Sequence, residues 1–288
     1  MNLAFKKLTL ADQALFNDYL RRFPPQASEL NFGMLFCWRG KSGYSYSLYQ
    51  DHLLIAGEHY GKEVFYQPVG ADPVRIIKEI IPKFPERSFV RIEQQVAEQL
   101  KEDFDVQHER DGDDYLYKIA ELQAMEGKKY DGKRNFIKRC KELNPEVLTL
   151  TAELVPACQA LHERWCRDKD CEGNKQLKAE TEALREFFKN YAALESFGIV
   201  VKINGELAGF AIGEALNPDT FVEHYEKGDT KYHGIYPFLV NELAKRLPEQ
   251  FIYLNREQDL GEESLRKSKL SYHPVGLVEK YVVKAASS

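Results

Sequence analysis

The sequence predicts a mixed α/β (α+β) chain of two similar units, each a mainly antiparallel sheet flanked by helices. Three observations predict it. Strand-like alternation and helix-like spacing interleave along the whole chain. The order of elements in the first half recurs in the second. Three pairs of segments then match across that recurrence: SLYQDHLLIAG (47–57) with VVKINGELAG (200–209), FVRIE (89–93) with FIYLN (251–255), and YLYKI (115–119) with KYVVK (280–284) as a closing strand. A repeat of about half the chain indicates a duplicated domain rather than a solenoid, the alternative being independent occurrence of similar α/β patterns. The chain has 288 residues, 43% apolar and 30% charged, which suits two soluble domains with real cores.

Taken in order, residues 11–22 and 28–38 read as helices, the second capped by Ser28. Short alternating strands follow at 44–49, 52–57 and 63–67. Asp72-Pro73 opens a helix to about Lys83, proline being suited to the first helical position. After FVRI at 89–92 come a helix at 93–101 and strands at 104–108 and 114–119. In the second half a strand at 148–150 leads to helices at 153–168 and 176–195. Asn204-Gly205 joins strands 198–203 and 206–215 as a hairpin. A strand at 221–227, a helix at 235–247, a strand at 251–255, a helix at 261–269 and a last strand at 277–284 complete the order. The expected division is 1–125, a basic connecting segment 126–146, and 147–288.

Charge and cysteine content narrow the class. Net charge is −5, so the chain is no general polycation. Residues 128–141, however, carry seven basic residues against one acidic, on a helix striped by Phe136 and Cys140. This segment is either a solvated helix face or an arm contacting phosphates, with Lys133, Arg134 and Lys138 as the nucleic-acid candidates. The N-terminus has no apolar signal core and no apolar run reaches the ~20 residues of a membrane span, so a cytoplasmic chain without a transmembrane segment is expected. Five scattered cysteines without a CxxC pair argue against a disulfide framework. Cys158, His162 and Cys166 share a helix face, but Leu154, Leu161 and Trp165 make it a packing stripe, and neither metal nor cofactor is expected.

The motifs exclude several chemistries. Gly40-Lys41-Ser42 ends like a P-loop, but Leu35 stands where the first glycine belongs. There is no GxSxG, HExxH or GxGxxG. Gly209 and Gly213, with Ala211 and Ala215, give one strand a side-chain-poor face that admits a helix or a ligand.

The repeated order of two helices, three antiparallel strands, helix, strand, helix and strand resembles the GNAT acyltransferase fold. In that family acyl-CoA phosphates rest on the N-terminus of the third helix. The counterpart here, Lys231 to Pro237, keeps one glycine and loses a donor at Pro237, and the first half offers Asp72-Pro73; conventional CoA binding is disfavoured in both. A more specific resemblance lies in HYEKGD (224–229), GIYPFLVNELA (234–244) and YLNREQDLGEESLRKSKLSYHPVGLVEKY (253–281), which are similar to the C-terminal domain of phosphatidylglycerol lysyltransferases. That family has two tandem GNAT-like units and is related to Fem-type transferases, which use aminoacyl-tRNA. The resemblance implies an acyl or aminoacyl transferase, with tRNA as donor partner and an amine, hydroxyl or lipid-headgroup acceptor. An acyl-CoA N-acyltransferase and a non-catalytic binding module are the alternatives.

Within this frame the strand FVEHYEK is expected to alternate, with His224 and Glu226 on one face and Glu223, Tyr225 and Lys227 on the other. His224 or Glu226 would take the acceptor's proton, and Asp259 after the next strand is a third catalytic candidate. Asn255, Arg256, Arg266, Lys267, Lys269 and Tyr272 are the substrate-binding candidates, the cations serving a carboxylate, phosphate or developing oxyanion. The same residues also allow a plain surface reading, with Glu262–Arg266 and Glu263–Lys267 as i,i+4 pairs.

Overall fold

A computed structural model describes residues 3–286. The first sheet has the order β1-β2-β3-β4-β5-β14-β6 and the second β13-β7-β12-β11-β10-β9-β8. Its strands are β1 (Lys6–Lys7), β2 (Ser45–Tyr49), β3 (His52–His59), β4 (Lys62–Tyr66), β5 (Ser88–Glu93), β6 (Phe104–His108) and β14 (Lys280–Ala285). The second sheet uses β7 (Asp114–Lys118), β8 (Glu146–Thr149), β9 (Ser196–Ile203), β10 (Glu206–Ala215), β11 (Thr220–Gly228), β12 (Tyr253–Asn255) and β13 (Gly276–Val278). Read outward, the two orders match strand for strand. In each, the hairpin strands pair antiparallel and one inner pair, β4–β5 or β11–β12, runs parallel. These are two tandem GNAT-like units.

The matched closing strands are exchanged. β14 pairs with β5 and β6 in the first sheet, whereas β7 pairs with β12 in the second. The first compact unit accordingly holds the chain to Tyr115 with Gln258–Arg266 and the residues from Leu277, and the second holds Leu116–Glu257 and Lys267–Gly276. The expected boundaries at 125 and 147 are therefore displaced, and the basic segment 126–146 lies inside the second unit. The cause is that adjacency in sequence does not decide which sheet a terminal strand joins; the edge left open beside β5 or β12 does.

The helices are α1 (Gln13–Arg22), α2 (Phe32–Ser42), α3 (Pro73–Ile80), α4 (Gln94–Glu98), α5 (Ile119–Ala124), α6 (Asp131–Lys141), α7 (Val155–Lys169), α8 (Lys175–Lys189), α9 (Ile235–Arg246) and α10 (Glu263–Leu270). Local chemistry sets their starts. α2 begins later than expected because Asn31, not Ser28, accepts from the Met34 N–H at 2.7 Å. Asp72 caps α3 through the Arg75 N–H at 3.0 Å, with Pro73 in the first turn. The short α5 was not legible in the sequence. Asn204 and Gly205 both have positive φ, as the two-residue hairpin requires.

Each unit has its own core. In the first, Leu54, Phe65, Ile76, Ile77, Ile80, Phe89, Ile92 and Val283 pack helix α3 and strand β14 against the sheet. In the second, Phe188 meets Phe210 edge-on and Phe187 meets Tyr225 at a tilt, while Leu239 and Leu243 of α9 are fully buried. Among the described residues no helix is long and apolar enough to cross a membrane.

Candidate functional site

The site is built on β11 of the second unit. Its pairing with β10 slips between Ile212, opposite Tyr225, and Gly213, opposite Glu223, so His224 is an extra, bulged residue. Gly213 permits this: a Cβ there would lie 1.9 Å from the Val222 carbonyl oxygen. The bulge resets the alternation, and the expected face sharing of His224 with Glu226 does not occur. Instead Glu223 and Glu226 both reach Arg256, which donates from Nε to Glu223 at 2.5 Å and from Nη2 to Glu226. The parallel pairing of β11 with β12, Val222 opposite Asn255, sets Arg256 in place just past the strand end.

The surroundings of Arg256 come from four elements. Asn255 is fully buried, and its side-chain oxygen accepts from the Glu257 N–H at 2.8 Å, turning the chain where Glu257 takes φ +55°. Lys269 of α10 donates to the carbonyls of Arg256 and Glu257. Tyr272 stands 5.0 Å from the guanidinium carbon and is fixed by Tyr130, whose hydroxyl donates to the Tyr272 carbonyl at 2.9 Å. Lys133 of α6 lies with Nζ 3.6 Å above the Tyr272 ring. Thus the structure brings together Glu226, Asn255, Arg256, Lys269, Tyr272 and Lys133, and adds Glu223, which the strict-alternation reading had placed on the opposite face.

Electrostatics mark this cluster. Burial, reinforced by the Glu223 charge and opposed by Arg256, pushes the Glu226 carboxyl up to about 7. Burial and the Arg256 charge lower Lys133 to about 8. One carboxylate oxygen of Glu223 and one of Glu226 are buried without a hydrogen-bond partner. The cluster therefore offers a base that titrates near neutrality, fixed positive charge, and two acceptor atoms unmatched among the described residues.

Other candidates stand elsewhere. The His224 side chain is buried, and its ring nitrogens donate to Glu257 at 2.7 Å and Glu214 at 2.9 Å. Burial alone would lower its pKa, but the two carboxylate hydrogen bonds raise it to about 10. As an imidazolium with both N–H groups engaged it has no lone pair for a proton, which corrects its reading as a base. Asp259 belongs to the first unit, fully buried, receiving Tyr115 at 2.6 Å, the Gly261 N–H at 2.9 Å and Arg266 at 2.8 and 2.9 Å. Burial works against its charge, but these bonds hold it at about 2. Arg266 also donates to Asp111 at 2.6 Å. Asp259 and Arg266 bind one another, and neither joins the Arg256 cluster. Lys267 is exposed on α10. Arg134 is spent on the carbonyls of Met125 and Gly127, and Lys138 is exposed. Cys166 is paired with Cys171, a short-range disulfide that the cysteine spacing did not suggest.

The start of α9, where a GNAT enzyme would hold CoA phosphates, is covered within the same unit. Gly234 caps α9 with φ +90°, and a Cβ there would lie 2.1 Å from the Phe136 carbonyl of α6. A backbone carbonyl thus packs closely against the start of that helix.

Residues 20–284 match the family model described as phosphatidylglycerol lysyltransferase, C-terminal. The chain belongs to that family. It is similar to a conserved protein of unknown function from Bacteroides thetaiotaomicron, with 30% identity, a TM-score of 0.92, and coverage of 99% of this chain and 100% of that one. It shares its fold with L-PGS from Bacillus licheniformis at 15% identity and a TM-score of 0.68, covering 96% and 93% of the two chains. An uncharacterized protein from Mycoplasmoides gallisepticum is 26% identical over 191 residues, 64% of this chain and 59% of that relative, so less than two thirds of the relative's length is spanned.

Proposed function

We propose that this protein moves an aminoacyl group from aminoacyl-tRNA to an amine or hydroxyl acceptor, with Glu226 as general base. The donor is already an activated ester, so transfer needs orientation, proton removal and oxyanion stabilisation, but no covalent enzyme intermediate. Glu226 takes the acceptor's proton as its nitrogen or oxygen attacks the ester carbonyl. Arg256, Lys133 and Lys269 supply positive charge for the oxyanion, and the tRNA 3′ oxygen leaves with the proton that Glu226 gives up, which restores the carboxylate. The acceptor class spans small molecules and lipid headgroups. A cytoplasmic location accords with tRNA as the donor.

The observation that carries this reading is the Glu223–Arg256–Glu226 arrangement, with a carboxyl held near pH 7 and acceptor atoms left open. The carbonyl of Phe136 at the start of α9 weighs against the acyl-CoA alternative. The exposed basic residues of α6, Lys138 among them, support a phosphate contact.

The test is transfer of labelled aminoacyl groups from charged tRNA to a panel of amine and hydroxyl acceptors. Glu226→Gln should lower the rate by ~10²-fold or more, and the wild-type rate should rise as pH passes 7 while the variant's stays flat. Transfer unaffected by Glu226→Gln overturns the assignment of the base. RNA binding with no turnover favours the binding module, and micromolar binding of acetyl-CoA favours the acyl-CoA reading. Changing Lys138 to Glu should weaken tRNA binding and lower its salt slope by about one.

A further inference from the structure

The end of α7 carries a second piece of chemistry, outside the Arg256 cluster and in the same unit. Cys166 and Cys171 are bonded, with Cα atoms 5.0 Å apart. Asp170 between them takes φ +51°, and the Cys171 N–H donates to the Cys166 carbonyl at 3.1 Å. This is the left-handed ending of a helix, which by itself lays the residue after the turn against the last helical turn. The backbone thus holds the two sulfurs adjacent whether or not they are bonded. Cys166 is half-buried and Cys171 buried, so an external thiol meets Cys166 first. The remaining cysteines do not compete: Cys37, Cys140 and Cys158 are buried, and burial pushes the Cys140 and Cys158 thiols up to about 11 and 12.

What surrounds the pair links it to the strand of the proposed base. Cys166 lies 3.5 Å from His162 Nε2 and 3.2 Å from Thr181 Oγ1. Trp165, its neighbour in the chain, stacks near His162 and donates from Nε1 to the Tyr236 hydroxyl at 2.9 Å, which donates in turn to the Gly228 carbonyl at 3.2 Å. Lys227, next to Glu226, stands 4.2 Å over the Trp165 ring and is held by both oxygens of Glu180 on α8. Trp165 therefore ties the end of α7 to the end of β11 and the first turn of α9.

We propose that Cys166 and Cys171 are a reversible thiol–disulfide site, exchanging with a low-molecular-weight thiol and its disulfide, and that its state sets how Trp165 packs on the end of β11. In the reducing direction a small thiolate bonds to the Cys166 sulfur, the protein disulfide breaks, and Cys171 leaves as a thiolate that takes a proton. A second small thiolate then attacks the small-molecule sulfur of that mixed disulfide, and Cys166 leaves as a thiolate that takes a proton while the two small molecules form their own disulfide. Two electrons pass from two small thiols to the protein, and the reverse sequence restores the bond.

The full chain would be equilibrated in a graded series of reduced and oxidised glutathione, acid-quenched, denatured and alkylated, and its thiols counted by mass. Free thiols should rise from three to five per chain, the two new ones mapping to Cys166 and Cys171, and fall again on re-oxidation. Trp165 emission, read in a Trp38→Phe background where it is the sole tryptophan, should shift with the same midpoint. Cys171→Ser and Cys171→Ala should both hold the emission of the reduced protein at every buffer ratio. A count fixed at three or at five across the series overturns reversibility. A full conversion from three to five with unchanged emission overturns the link to β11.

Discussion

His224 and Arg266 are the residues whose surroundings most changed their meaning. The folded pKa of His224 is about 10 against an ordinary 6.5, so its folded-state proton stabilises the chain fully below pH 6.5 and that contribution disappears as pH rises through 10. His224→Ala removes a buried partner from Glu214 and Glu257 and should cost about 3 kcal/mol at neutral pH. Denaturant unfolding from pH 6 to 10 should show the wild-type advantage shrinking over that interval; an advantage independent of pH would contradict the doubly bonded imidazolium. Arg266→Ala strips Asp259 of its main counter-charge and should lower the melting temperature, leaving transfer activity of the folded protein within a few-fold. A large activity loss with unchanged melting would restore Arg266 to the site. The residue types in these motifs were legible in the sequence, but their roles were not. Whether a carboxylate such as Asp259 meets a substrate or its own Arg266 is decided by tertiary distance, which spacing along the chain does not contain.

At the scale of elements, strands and helices were read with good fidelity where periodicity or turn chemistry was strong, as at Asn204-Gly205 and Asp72-Pro73. What escaped was the bulge. A one-residue slip in β11 moves Glu223 onto the same side as Glu226, and period-two reasoning assigns them opposite faces. The clue was present in Gly213, a glycine inside a strand, which usually marks a bulge or a close backbone approach. Gly213→Ala should therefore act at a distance. Its methyl has no room beside the Val222 carbonyl, so melting should drop by the equivalent of about 2 kcal/mol and activity should fall with the loss of Glu226 geometry. A variant as stable and active as wild type would show that the bulge is not locked from β10. The basic helix α6 was also half legible. Its charge was plain, but Lys133, the residue turned onto Tyr272, was indistinguishable from its exposed neighbours without the packing of Ile137 and Cys140.

For the whole molecule the duplication was visible because three segment pairs keep their order, while the exchange of closing strands was invisible because both halves supply the same kind of strand. The exchange predicts how pieces behave. A fragment of residues 1–125 lacks β14, which brings Val283 into the first core and the fully buried Lys280 to Glu29 and Asp114 at 2.6 Å each. It should show no cooperative unfolding transition by circular dichroism, although it contains every helix of the expected first unit. A sharp transition in that fragment would show β14 to be dispensable.

The exchanged strand also has a consequence in time. A ribosome delivers residues 1–115 long before residue 280, so the first sheet waits with its β5 edge unpaired until β14 has emerged. Domains made in sequence usually fold as each one leaves the exit tunnel, and an exposed strand edge in the interim invites wrong pairing. Here the nearest wrong partner is built in: β7 is a closing strand of the same pattern and is synthesised earlier. Slowing translation late in the message should lengthen that exposure, and destabilising β12, the proper neighbour of β7, should increase the fraction of nascent chains trapped with β7 beside β5.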